Sequence, residues 1–509
     1  MARTVLAPSL CTLACAIACT STSPADADAS DTNDPSLAAS DGDDGRPNPT
    51  SESPATSSGG ASSDSAAATD GAAPTTGGDD PPVPPSDCDV ALPLAPTFHV
   101  APTGDDDTGD GSEAAPWKTL AHGIAQLAPG DVLLVDDGEY AGPQNAIVDV
   151  PAGTDGFTTI AARHPLAVRI VGGSDLLFIG DRVHVDGFVF DAGDGDEFVG
   201  TIAGDHSRVT RSIFRRAGES GEQGGLLQLW GNDNLVEDVA GVGSCRACFV
   251  QGGPDASTQR NIWRRVVGRM DYTSSPLPKS TFNTYGNNAD DSVRDHLYQN
   301  VIAIDGHAPQ TGGEGKYGGF YIAKVASNIR FQGVMVIGEA VDHAGIFGVE
   351  WGQGNVVDHA VVWGVSDGAT GVRANTASHV TVGGFAGEPF LLDDGDAPQS
   401  VIDPTGPDVV SNTPGADLRT RWGISGTHWG EAGFDQPTDE PLWPWPCERR
   451  IAEVFAEPND PPPGNAPAVN ETSRGFAAGG TGLYGGPVTL TSYVWELLGT
   501  PCPDDVCGA

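Results

Sequence analysis

Between Asp181 and Val382 the chain repeats a short unit of alternating apolar and polar positions: DRVHVDGFVF, HSRVTRSIF, NDNLVEDVAGV, QRNIWRRVVG, RDHLYQNVIAI, SNIRFQGVMVI, GNVVDHAVVW and SHVTV. A two-residue period buries one row of side chains and leaves the other wet. A lone strand of this length needs neighbours above and below to cover its inner row. Anchored on the first core-like aliphatic residue, the units begin at Val183, Val209, Leu235, Ile262, Leu297, Ile329, Val356 and Val380, at steps of 26, 26, 27, 35, 32, 27 and 24 residues. Steps of that size predict a solenoid, being shorter than the roughly 40 to 50 residues of a propeller blade. Helical patterns between the strands are too few for repeated strand-helix-strand crossovers. The residues before the anchors, Arg182, Arg208, Asn234, Asn261, His296, Asn328, Asn355 and His379, are all polar. Because Asn tolerates the left-handed backbone region and bonds its own chain, these positions predict a recurring corner.

Upstream, Phe98-His99-Val100 reads as a strand, and Leu120, Ile124 and Leu127 share one face of a helix predicted over Trp117–Ala128, which Pro129-Gly130 stops. The stretch HVAPTGDD…GSEAAPWKTLAHGIAQLAPGDVLLVDDGEY resembles the N-terminal cap and first coil of secreted right-handed parallel β-helix proteins, the pectate-lyase-like superfamily. The resemblance rests on Gly104, Asp105, Pro116, Lys118, Thr119, Ile124, Pro129, Gly130, Asp131, Gly138 and Tyr140. It implies a helix that plugs the open end of the solenoid. It says little about chemistry, since the superfamily holds lyases, hydrolases and adhesins. After about Val410 the repeat fades and Trp422, Trp429, Trp443, Trp445 and Trp495 appear, with helices expected over 448–456 and Leu490–Leu498. The expected fold class is all-β: a right-handed parallel β-helix (β-solenoid) over residues 88–410, with an N-terminal capping helix and a Trp-rich C-terminal cap over 411–509.

Residues 1–19 hold one basic residue, Arg3, and a short apolar run that reads as an export signal. Its end, Ala16-Ile17-Ala18-Cys19, resembles the lipobox of bacterial lipoproteins, which implies lipidation of Cys19 and a place at the outer membrane or cell surface. Residues 20–87, rich in Ser, Thr, Ala, Asp, Gly and Pro, are expected to be a disordered acidic tether. A net charge of −43 argues against nucleic acid and against anionic membrane surfaces, leaving the lipid anchor as the membrane contact. Apart from Cys11, Cys15 and Cys19, the chain has Cys88, Cys245, Cys248, Cys447, Cys502 and Cys507, an even set that predicts three disulfides in an exported protein. Cys245 suits a bridge to Cys248 across a tight bend and Cys502 one to Cys507, which leaves Cys88 for Cys447, although fifteen pairings are open in principle.

The two longest steps, Ile262 to Leu297 and Leu297 to Ile329, predict loops on one side of the solenoid, where binding surfaces arise. Three of the four lysines, Lys279, Lys316 and Lys324, fall in or beside them. Elimination from a uronate needs a base and a cation facing the carboxylate. Lys279, Lys316 or Lys324 would serve as base, Arg269 or Arg294 as carboxylate clamp, with His296 beside them and Asp290, Asp291 and Asp295 as oxygen ligands for calcium. A glycoside hydrolase would instead use two facing carboxylates from Asp290, Asp291, Asp305, Asp342 and Glu350. The Asp290-Asp291 pair resembles that of β-helix polygalacturonases, whose Gly-His-Gly and Arg-Ile-Lys signatures are missing here. The leading expectation is a tethered surface protein that contacts extracellular or cell-wall polysaccharide without assured catalysis, with calcium-dependent uronate lyase ranked next and hydrolase after it.

Overall fold

The computed structural model describes residues 95–218, 223–253, 257–273, 275, 277, 279–286, 292–305, 317–338, 347–363, 370–383, 388–393, 396–398, 400–403, 445, 447–455, 457 and 489–497. They belong to one compact unit, Asp79–Ala509. The export signal with Cys19, the tether, and Cys88, Cys502 and Cys507 lie outside the described residues. The described strands form a 17-stranded sheet and a 9-stranded sheet, both built from parallel neighbours. A chain that alternates between two parallel sheets and returns one layer higher is a β-helix, and such crossovers are right-handed for L-residues.

One coil shows the plan. Ala247–Gly252 lies in the second sheet, a corner follows at Gln259-Arg260-Asn261, and Ile262–Tyr272 runs through the long sheet before the chain returns to the second sheet at Lys279–Tyr285. The corner recurs in register. Arg182, His206, Asp233, Arg260, Asp295 and Asn328 all take positive φ, between 50 and 61°. The next residue in each coil then builds a ladder. The backbone N–H of Ser207 donates to Asn234 Oδ1, that of Asn234 to Asn261 Oδ1 and that of Asn261 to His296 Nδ1, at steps of 27, 27 and 35 residues. Ile329 interrupts the side-chain row, and Asn355 and Asn375 resume it at steps of 26 and 20.

The expected corner is therefore present with a corrected register. Asn234, Asn261 and Asn355 are ladder residues, and the left-handed residue stands one place earlier. Amide side chains satisfy backbone groups at a buried bend that sheet pairing cannot reach. A second left-handed row, Arg211, Asp238, Arg265, Asn300, His359 and His379, bends the long sheet into two strips, which the alternation alone did not reveal.

Inside the solenoid, like residues stack. Phe249, Phe282 and Phe320 lie face to face with ring centroids 5.0 Å apart at each step. Trp263, Tyr298 and Phe331 form a parallel stack. Each such side chain removed from water contributes about 1.5–3 kcal/mol. The buried polar atoms among them are paired: Trp263 Nε1 donates to Gln251 Oε1 at 2.8 Å, and Gln251 Nε2 donates to Thr284 Oγ1 at 3.0 Å.

Helix α1 (Leu120–Ala125) plugs the first coil with Leu120 and Ile124 in the core, and Thr119 caps it. It is shorter than expected because Trp117 is held extended: its N–H donates to His99 O and its carbonyl accepts from Ala101 N–H. At the other end of the chain, α2 (Glu448–Phe455) and α3 (Leu490–Leu497) lie on the flank of the solenoid. Ile451, Val454, Phe455, Tyr493 and Trp495 join Val189, Ile213, Val242, Val267, Ile304 and Ile337 in a second apolar cluster on the outer face of the long sheet. The described part of the C-terminal region thus covers a side, where outward Val and Ile would otherwise meet water.

Candidate functional site

The second sheet carries the groove. Along this sheet Phe178, Thr201, Gln228, Val250, Asn283 and Tyr321 are register partners in one column, one per coil. Their neighbours Leu227, Phe249, Phe282 and Phe320 point into the core, so the column faces outward by the two-residue period. Two places further along the strands, Tyr285 pairs with Gly252 and Ala323, and Lys324 follows. The column from Gln228 onward, with Tyr285 and Lys324, lines a groove of about 610 Å³ together with Asp196, Glu197 and Arg246.

Arg246 is held on three sides. Its neighbours in the chain, Cys245 and Cys248, are joined by a disulfide, as expected from their spacing. Its backbone N–H donates to Gly224 O at 2.8 Å, and its carbonyl accepts from Ser280 N–H at 3.2 Å. The guanidinium Nη1 donates to Gln223 Oε1 at 2.6 Å. Burial pulls its pKa below the ordinary arginine range, and the Tyr285 phenol acts in the opposite direction. A partly desolvated guanidinium favours an incoming anion.

Of the residues picked out from sequence, Lys324 lines this groove together with Tyr285 and Tyr321. Lys279 opens the strand that carries Asn283 and Tyr285, but it is 1% exposed, and burial lowers its pKa. Arg294, Asp295 and His296 form a corner of the coil. Asp295 Oδ1 accepts from Asn328 Nδ2 at 3.1 Å, and His296 Nε2 lies 3.3 Å from Thr258 Oγ1 within the buried ladder. Burial pushes the His296 imidazole down to about 3. Arg269 is 3% exposed under α2 and α3, paired with Asp271 at 2.7 Å and donating to Phe455 O at 2.9 Å. Lys316, Asp290, Asp291 and Asp342 lie outside the described residues. Asp305 and Glu350 fall in the strands Ile302–Asp305 and Phe347–Trp351.

Sequence reasoning passed over Arg246, Gln228, Asn283 and Glu197. The available signal was the pair of cysteines flanking Arg246, which ties down a single cation. It also passed over Asp358 and His359, which with His379 cluster at the bend of the long sheet. His359 Nδ1 and His379 Nδ1 each lie 3.0 Å from an Asp358 oxygen, and Ser378 Oγ donates to the same carboxylate at 2.7 Å. Against the upward pull of burial, these bonds hold the Asp358 carboxyl below its usual range. One oxygen and two imidazole nitrogens within 4.8 Å of one another can coordinate a cation. Earlier coils fill the same corner with ion pairs, Asp186 to Arg211 and Asp238 to Arg265.

No protein-family model matches the chain, and no curated protein does. Among solved structures it is similar to the pectate lyase Pel9A at 14% identity, covering 62% of this chain and 81% of that one with a TM-score of 0.35. A rhamnogalacturonan lyase shares 12% identity over 70% of this chain and 98% of that one, with a TM-score of 0.34. The catalytic unit of an α-1,3-glucanase from Streptomyces thermodiastaticus shares 13% identity over 61% and 68%, with a TM-score of 0.33. At these values the fold rests on the strand register described above.

Proposed function

We propose that the groove on the second sheet binds a uronate-containing polysaccharide and cleaves it by β-elimination. The observation that carries this reading is one cleft lined by two cations, Arg246 and Lys324, two phenols, Tyr285 and Tyr321, and three amides, Gln223, Gln228 and Asn283. Amides and phenols bond sugar hydroxyls, and a restrained guanidinium suits a carboxylate. In a chain of net charge −43, paired cations in a cleft give an acidic polymer a local point of attraction.

In the proposed reaction Arg246 holds the carboxylate and steadies the negative charge that develops on it. Lys324 removes the proton on the carbon beside that carboxylate. The bond to the glycosidic oxygen one carbon further breaks, a carbon–carbon double bond forms, and the leaving oxygen takes a proton from Tyr285. Hydrolysis fits less well, since two catalytic acids should face each other across about 5–9.5 Å. Among the described residues the groove's acids, Asp196 and Glu197, are adjacent in the chain.

Export follows from the same reading, since polysaccharide lies outside the cell and the Cys245–Cys248 disulfide suits an oxidising compartment. Lipidation at Cys19 and calcium at Asp290, Asp291 and Asp295 belong to this proposal as well. The test is ultraviolet absorbance of the unsaturated product over pectate, alginate and glycosaminoglycans, with and without calcium, for wild type and for Lys324→Ala and Arg246→Ala. Loss of product in both variants supports the reading.

A further inference from the structure

Two large aromatic side chains stand in water beside the groove. Phe178 is 42% exposed and Trp230 is 46% exposed, and their rings meet edge to face with centroids 6.5 Å apart. By contrast, Trp117, Trp263, Trp363, Trp445 and Trp495 are buried. The pair's position is set by register. Phe178 pairs with Thr201 and Thr201 with Gln228, so Phe178 heads the column whose later members floor the groove. Trp230 follows Gln228 by two residues and is fixed by its N–H to Ile202 O at 2.9 Å. The aromatic pair and the polar cleft therefore lie on the same face of the second sheet, with Gln228 in the column of Phe178 and two residues before Trp230.

We infer that Phe178 and Trp230 are a stacking platform for pyranose rings of the same polysaccharide that fills the groove, extending the binding track along the solenoid axis. This rests on the groove reading above and adds the subsite where further sugar units sit. Strands in a sheet lie about 4.8 Å apart, so the strands from Phe178 to Lys324 span roughly 24 Å, room for several sugar units. The C–H face of a pyranose is apolar and lies flat on an aromatic ring, while its equatorial hydroxyls reach sideways to groups such as Gln228. A contiguous exposed aromatic pair is the kind of patch that marks a binding surface. A flat apolar protein partner is less suited, because the patch runs directly into amides, phenols and cations.

The test uses the full chain and measures binding of trisaccharides and octasaccharides of galacturonate and of guluronate by calorimetry and by tryptophan fluorescence. The variants are Trp230→Ala, Trp230→Phe, Phe178→Ala and Arg246→Ala. The platform predicts that Trp230→Ala weakens octasaccharide binding by about three- to tenfold, the range of one aromatic contact, and leaves the trisaccharide unchanged. Trp230→Phe, which keeps a ring, should retain most of the affinity and so excludes a folding defect. Arg246→Ala should weaken both lengths. If Trp230→Ala binds both lengths as wild type does while Arg246→Ala loses both, the platform is wrong and the groove stands. Wild type that binds neither length of either sugar overturns both. Concentration-dependent self-association in sedimentation, abolished by Trp230→Ala, would assign the pair to a copy of this chain and also overturn the platform.

Discussion

The backbone N–H of Asn261 donates to Nδ1 of His296 at 3.1 Å, so an imidazole occupies a rung that Asn234, Asn261, Asn355 and Asn375 otherwise fill with amides. To accept this bond His296 must be neutral at Nδ1. Burial holds its pKa at about 3, against about 6.5 in an unfolded chain. Between those values the unfolded state binds the extra proton, so stability falls as pH drops from about 6.5 toward 3. His184, pushed by burial to about 4, adds to the same slope.

His296→Asn should continue the amide ladder, with its Oδ1 accepting from Asn261. The expected outcome is unchanged stability near neutral pH and a shallower loss between about pH 6 and 4 in urea unfolding, since one buried imidazole fewer then takes up a proton on unfolding. An unchanged acid slope would show that His296 does not carry that proton uptake.

Arg269 and Asp271 form an ion pair under α2 and α3, and Arg269 also lies 5.0 Å from the Phe455 ring centre. Arg269→Ala strands the buried Asp271 carboxylate and should cost about 3–5 kcal/mol, whereas Arg269→Met with Asp271→Leu should cost much less. Because both residues sit on the long sheet, glycan binding per folded molecule should be unaltered in the double variant, as equilibrium unfolding and calorimetry together would show.

The disulfide between Cys245 and Cys248 closes a very short loop, so its entropic contribution to stability is modest, about 2 kcal/mol. Its larger effect is to hold Arg246 in place. Cys245→Ala with Cys248→Ala should therefore lower the unfolding midpoint a little and weaken uronate oligosaccharide binding nearly as much as Arg246→Ala. Full binding by the double Ala variant would show that the bridge does not position Arg246.

Asp358, His359 and His379 offer one oxygen and two imidazole nitrogens, a donor set suited to a borderline transition ion such as Zn²⁺ more than to Ca²⁺, which takes oxygen ligands. Added Zn²⁺ should raise the thermal midpoint of wild type but not of His379→Ala, and Ca²⁺ should give no shift that depends on His379. Equal responses of wild type and His379→Ala to Zn²⁺ would mark the cluster as a hydrogen-bonded corner, like the Asp186–Arg211 pair six coils before it.

The coil was legible because burial on one face enforces a two-residue period, and Val185, Val236 and Val334 obey it. The register of the corners was less legible: the backbone at Asp233 or Arg260 is left-handed because of its place in a bend, and neither residue type announces it. The flank position of α2 was hidden because Ile451 and Phe455 pack equally well over an end or a side. The groove was half legible. Lys324, Tyr285 and Tyr321 lie near the long inter-coil segments where binding residues were sought. Arg246 and Gln228 reach the same cleft from other coils, and a groove across strands depends on register between residues far apart in sequence.

In the proposed reaction Arg246 and Lys324 act on one uronate chain in the groove of the second sheet. The most direct measurement is the ultraviolet absorbance of newly formed unsaturated uronate when the full chain meets pectate, alginate and glycosaminoglycans, with and without calcium. A steady rise is expected with at least one of these polymers, abolished in Lys324→Ala and strongly reduced in Arg246→Ala while both variants stay folded. A flat trace on every polymer, or a rise that Lys324→Ala leaves intact, would contradict it.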